Sequence, residues 1–154
     1  MSRGPEANFW NTIRKNLPKG SQVWRLENRV AAGMPDCYIM IDGHPLWIEL
    51  KVTKSNSVKL SPQQIAWHMA HSHAGGHSLI LVKRSTTGCL FLFEGRGARD
   101  VASQGLLSEA IFSGIGVREA IDAAIGSVRD HFGALFGSGS GRVRGPTHPP
   151  TLKN

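Results

Sequence analysis

Cysteine is scarce in this chain of 154 residues: there are two, Cys37 and Cys89, each inside an apolar run. Two thiols placed this way make no spaced disulfide framework, and they read as reduced core residues of a cytoplasmic protein. Long apolar runs are missing as well. None approaches the roughly 20 residues that a membrane span needs, and the opening Met-Ser-Arg-Gly-Pro-Glu carries no apolar signal segment. The expectation is a soluble, unsecreted protein of the cytoplasm, or of a host cytoplasm if phage-encoded, with no membrane partner.

Acids are also few. Eleven Asp and Glu stand against eighteen Lys and Arg, a formal net charge of +7, and residues 1–90 hold eleven of those bases but five acids. A basic half of this kind calls for an anionic partner. Nucleic acid is the commonest one, because each phosphate neutralised by Lys or Arg releases condensed counterions. The length suits one domain with a core of its own. Residues 1–136 are read as that domain, with a core over about 5–95 and a helical extension over about 98–136. Residues 137–154 hold three bases, no acid and much Gly, Ser and Pro, too little apolar surface to order, so a disordered basic tail is expected.

Phe9, Trp10, Ile13 and Leu17 fall at helical spacing after Pro5-Glu6 and before Pro18. Gln22 to Glu27 reads as a strand and Asn28 to Met34 as a loop. Cys37 to Ile41 and Leu46 to Val52 read as two strands around Asp42-Gly43, a dipeptide that favours a hairpin turn. Ser61-Pro62-Gln63-Gln64 supplies an N-cap, a proline at the first helical position and a Gln at the third, predicting a helix to about Ala74. Strands follow at Ser78 to Lys83 and Cys89 to Phe93. Beyond Gly97, Leu106, Leu107, Ala110 and Ile111 suggest one helical segment, and Val117, Ile121, Ile125, Val128 and Phe132 another.

Side chains alternate along the third strand, so Trp47, Glu49 and Lys51 share one face and Leu46, Ile48, Leu50 and Val52 the other. If Asp42-Gly43 is a two-residue turn, Ile41 pairs with His44, and counting outward sets Asp36 against Glu49 as a non-hydrogen-bonded pair. Two carboxylates that close repel unless a cation lies between them. Hard oxygen ligands on one face suit magnesium, and Lys51 beside them can hold a water or a developing negative charge. The plain alternative is a half-exposed hairpin on which Lys51 simply pairs with Glu49.

Gly33-Met34-Pro35-Asp36, Ile48-Glu49-Leu50-Lys51 and Leu60-Ser61-Pro62-Gln63-Gln64 together resemble the signature of the PD-(D/E)XK nucleases, closest to the VRR-NUC and Holliday-junction-resolvase branches. The resemblance covers roughly residues 5–84 and leaves the C-terminal third uncovered. It implies an α/β, restriction-endonuclease-like fold: an α-β-β-β-α-β core with a central mixed sheet flanked by helices. It also implies metal binding by Asp36, Glu49 and the backbone carbonyl of Leu50, with magnesium as the metal and manganese able to substitute. Lys51 takes a catalytic role and Gln64 a supporting one, although Gln64 also fits a capping box that only satisfies a helix end. Glu6 is the one acid of the first helix, where family members often carry one; there it also suits the helix dipole.

Arg25, Arg29, Lys54 and Lys59 surround the motif in sequence and are candidate phosphate contacts, or an ordinary solvated surface. His68, His71, His73 and His77 match no standard zinc spacing, and Trp10, Trp24, Trp47 and Trp67 are read as packing residues. The expected function is a magnesium-dependent DNA endonuclease selective for branched DNA such as Holliday junctions, acting as a homodimer or higher homo-oligomer. A site-specific enzyme of homing or restriction type is the alternative, and a non-catalytic DNA-binding module a third.

Overall fold

The computed structural model describes residues 4–26, 31–41 and 43–135. Helix α1 (Pro5–Asn16) opens on a proline whose missing N–H is not needed at a helix start. The strands β1 (Gln22–Arg25), β2 (Cys37–Ile41) and β3 (His44–Thr53) follow, then α2 (Pro62–His73), β4 (Ser78–Arg84) and β5 (Leu90–Glu94). The chain continues through α3 (Ala98–Gln104), β6 (Phe112–Gly114) and α4 (Val117–Leu135).

All six strands form one mixed sheet in chain order, antiparallel throughout except where β4 lies parallel to β3. Parallel neighbours need a crossover connection, and α2 supplies it. Ile41 stands opposite His44 and Cys37 opposite Ile48, the register expected for a two-residue connection. Gly43 adopts φ +77°, as such a turn requires, while Asp42 lies outside the described residues.

The two sheet faces bury different cores. Helices α1 and α4 cover one face through Phe9, Ile13, Ala120, Ala124 and Val128, over Ile39, Leu46, Ile48, Leu50, Leu79 and Leu81. On the other face Ile80, Val82 and Phe93 meet Ala98 and Val101 of α3, with Ile65 of α2 packed alongside. Strand β4 therefore reads as an apolar run from Leu79 to Val82, buried on both faces.

The C-terminal third departs from the expected pattern in one place. The segment from Leu106 to Ile111 is not a helix: a 3-10 turn covers Gly105–Leu107 and the chain then enters β6. Gly105 stops α3 in a conformation with φ +61°, pressed so closely against Asn56 that a β-carbon would lie 2.0 Å from its carbonyl oxygen. The free edge of β5 then captures the chain, with Ile111 N–H donating to the Leu92 carbonyl and Phe112 opposite Leu92. An open edge offers main-chain partners that helical periodicity does not register. Two smaller corrections concern packing. Trp24 is half exposed on the edge strand β1, and Cys89 lies just before β5, half-buried. The expected basic tail, Arg29 and most of the 28–34 loop's first half lie outside the described residues.

Candidate active site

Glu49 is buried at 1% exposure in the centre of the sheet, on the face that α2 partly covers. Its neighbours across the sheet follow from register. On β4 it is Ile80; on the β2 side, the ladder ends at Cys37 opposite Ile48, and one more residue brings Asp36 opposite Glu49. The backbone of Asp36 is held from the far side, its carbonyl accepting from Leu26 N–H at 2.7 Å. The Cys37 thiol senses both acids: burial pushes it up, Asp36 and Glu49 push the same way, and Arg25 opposes them.

A buried carboxylate costs several kcal/mol unless it is paired and hydrogen-bonded. Glu49 has both. Gln64 Nε2 donates to Glu49 Oε1 at 2.8 Å, and Lys51 Nζ lies 3.6 Å from the same oxygen. At that separation the attraction is about 5 kcal/mol for an effective dielectric constant of about 20, enough to offset much of the desolvation.

Gln64 unites its two expected roles in one side chain. Ser61 Oγ accepts from Gln64 N–H at 3.1 Å and Gln64 Oε1 accepts from Ser61 N–H at 3.0 Å, a complete capping box. The same Oε1 accepts from Lys51 Nζ at 3.1 Å. Both groups facing Oε1 are pure donors, which fixes the amide's orientation and leaves Nε2 to face Glu49. The helix cap thus aligns the amide that holds Glu49 and Lys51 together. Gln64→Ala is expected to lower cleavage by about 10- to 100-fold, as loss of a supporting partner does. Ser61→Ala should instead cost about 1 kcal/mol of stability with little change in rate. Melting curves and single-turnover rates on both variants separate the two effects.

The loop leading to Asp36 is seated on the same helix end. Gly33 is buried with φ +82°, and a β-carbon there would lie 2.1 Å from the Gln63 carbonyl oxygen and 2.7 Å from Gln64 N. The loop carrying one carboxylate and the helix that orients the other are therefore in direct backbone contact.

The remaining candidates are distributed unevenly. Lys54 and Lys59 are exposed on the segment joining β3 to α2, beyond the end of β3 at which Lys51 lies. Arg25 stands opposite Cys37 and in line with Val23, which places it with the α1 face of the sheet. Glu6 is half-buried in the first turn of α1, a helix that packs on the sheet face opposite Glu49. It makes no side-chain hydrogen bond or ion pair among the described residues. Arg29 lies outside those residues.

Sequence reasoning weighed His68, one turn after Gln64 on α2, only as part of a zinc set and missed its place beside the site. It is fully buried, with Nδ1 2.8 Å from Ser78 Oγ. Burial, then the nearby His71 and Lys51, pushes its pKa down to about 4, so the ring is neutral at neutral pH. His71 stacks on Trp67 and meets the His77 backbone, and His77 Nε2 lies 2.8 Å from Ser127 Oγ. The signal available in sequence was the i, i+4 spacing from Gln64. Among the described residues no three His, Cys, Asp or Glu side chains gather as a metal cluster. No helix among them is long and apolar enough to cross a membrane.

No family model matches the sequence. No curated protein matches it either. Among solved structures, the chain is similar to a Holliday junction resolvase from the archaeal hyperthermophile Archaeoglobus fulgidus, at 17% identity and a TM-score of 0.45, over 59% of this chain and 74% of that one.

Proposed function

We propose that this chain is a magnesium-dependent endonuclease that hydrolyses DNA phosphodiesters, selects branched DNA over linear duplex, and works as a homodimer or higher homo-oligomer. The observation that carries the reading is the convergence of Asp36, Glu49, Lys51 and Gln64 at one end of the β2–β3 ladder, with a buried carboxylate held by an amide and a lysine.

The donor set fits magnesium. That ion keeps several waters and is bound through one or two carboxylates, so a pair suffices where a cluster of three is absent. Asp36 and Glu49 would hold it, with the Leu50 carbonyl as a third oxygen. Carried on from Cys37 and Ile48, the register sets Pro35 opposite Leu50; proline has no N–H to give across the ladder, which is what a carbonyl ligand at Leu50 requires. When bound, magnesium, or manganese in its place, polarises a phosphate and lowers the pKa of a bound water. Lys51 places its ammonium beside the reacting phosphate and meets the negative charge that develops there. Gln64 keeps Lys51 and Glu49 in register with each other. Lys54 and Lys59 are assigned to the flanking phosphates; Arg25 on β1 and Glu6 on α1, both on the far face, are kept as secondary candidates.

Structure selection over sequence reading is supported by the C-terminal third. Strand β6 extends the sheet and α4 covers a core face, so among the described residues these elements are built into the fold rather than free to reach base edges. The test is incubation of purified protein and magnesium with labelled linear duplex, single-stranded, flap and four-way-junction DNA of unrelated sequences. Cleavage of branched forms irrespective of sequence is expected. Cutting at one site in linear duplex would replace this reading with a site-specific enzyme, and no cutting of any substrate would overturn the nuclease assignment.

A further inference from the structure

A row of aromatic side chains across β1, β2 and β3 lies directly beside the carboxylate row. Trp24 of β1 stands opposite Tyr38 of β2, and Tyr38 opposite Trp47 of β3. Their ring centroids are 5.7 Å and 4.9 Å apart, and Trp67 of α2 closes the row at 5.7 Å from Trp47. Tyr38 and Trp47 are each two residues from Asp36 and Glu49 along their strands, which puts the row on the same sheet face at about 7 Å from the carboxylates. The inner end is covered by α2. The outer end is open, with Trp24 51% exposed on the edge strand.

Packing between β3 and α2 explains the half-buried Trp47 and Trp67, which meet edge to face. It does not explain a half-exposed tryptophan in register with them, since a surface tryptophan on an edge strand gains little burial and invites association. Tyr38 and Trp47 meet edge to face at 62°, whereas Trp24 is tilted by only 32° on Tyr38 and keeps half its surface open, so the outer end of the row is where a base can stack. Aromatics beside a phosphate-directed cationic site are the arrangement that single-stranded nucleic acid uses, bases stacking while the backbone follows the positive charge. Here the positive charge is supplied by Lys51, two residues past Glu49 on the same face of β3 and so one row beyond the carboxylates, by exposed Lys54 and Lys59 further along, and by a chain of net charge +7. The separation of the two rows is one that a single nucleotide of an extended strand spans.

We infer that the Trp24–Tyr38–Trp47 row is a stacking platform for unpaired nucleobases flanking the scissile phosphate, so that the substrate class is DNA with a single-stranded segment at or next to the cut. The inference rests on the nuclease reading and deepens it. Paired bases in intact duplex keep their faces buried in the stack and cannot use the platform. Bases at a flap, fork or junction centre can.

The test is binding without cleavage, using the full chain in EDTA with labelled single-stranded, 5′-flap and blunt duplex DNA of equal phosphate count. Trp24→Ala is expected to weaken single-strand and flap binding by about tenfold and duplex binding by less than about twofold, with Trp24→Phe restoring most of the loss. The slope of log affinity against log salt should stay unchanged, because no phosphate contact is removed. Quenching of tryptophan fluorescence by single-stranded DNA should shrink in the variant. Equal losses on duplex and single strand, or none on either, would overturn the platform. So would sedimentation showing that Trp24→Ala converts a dimer into monomers, which would make the row an interface between copies. Because nothing is cleaved in this assay, its result is independent of whether Glu49 and Asp36 perform hydrolysis.

Discussion

Glu49→Gln is expected to abolish magnesium-dependent cleavage while leaving the fold and DNA binding intact. The substitution keeps the shape of the side chain and its oxygen toward Gln64 Nε2, 2.8 Å away in the native protein, while removing the charge and replacing the other oxygen by an amide NH2. If that charge holds a metal, several kcal/mol of transition-state stabilisation go with it, about a thousandfold or more in rate. Stability should move in neither direction by more than about 1 kcal/mol, since neutralising a buried carboxylate relieves desolvation as it removes an ion pair. Lys51, 21% exposed, retains access to water once its partner is neutral. Asp36→Asn should behave alike. The opposite pattern, normal cleavage with a lowered melting temperature, would mean that Glu49 and Lys51 are a structural pair and nothing more.

The second large effect is expected at Gly33. An alanine there meets a left-handed backbone, which costs roughly 1–2 kcal/mol, and also the Gln63 carbonyl at 2.1 Å, a contact that backbone must move to relieve. Together these should lower stability by about 3 kcal/mol and the melting temperature by about 10 °C for a domain of this size. The movement separates the Asp36 loop from the first turn of α2, so cleavage should fall at least about tenfold even well below the melting point. Gly20→Ala is the internal comparison. Gly20 has a similar φ of +86° with nothing within 4 Å of a β-carbon, so it carries the conformational cost without the collision. Equal melting temperatures for the two variants would remove the contact between loop and helix from the account.

Much of the site was legible because its parts are local or obey fixed periods. A two-residue turn sets a register by counting, and pleating sets which side chains share a face. These two rules carried Asp36 to Glu49 and put Lys51 on the same face. The capping box was equally legible, since it needs only Ser61 and Gln64 at their spacing. What escaped was contact between elements far apart in sequence. The family resemblance implied a site role for Gln64, but no local rule in residues 61–64 says that the capping amide reaches Glu49, fifteen residues earlier, and Gly33 reads as an ordinary loop glycine until α2 is laid against it. His68 escaped for the same reason, because its partner Ser78 lies on another element. Trp24 does pack on Tyr38, but its half-exposure escaped, because hydrophobicity does not say which strand ends up at the edge.

By itself, the sequence determined the helices α1, α2 and α4, the first five strands, the hairpin register and the shared face of Glu49 and Lys51. Each of these follows from periodicity, turn chemistry and capping over a few residues. Only the tertiary structure decided that residues 112–114 join the sheet, that Gln64 bridges Glu49 and Lys51, that Gly33 presses on the end of α2, and that Trp24 stays open to solvent beside the carboxylates. These depend on which surfaces meet when the sheet assembles, and local pattern holds no record of that.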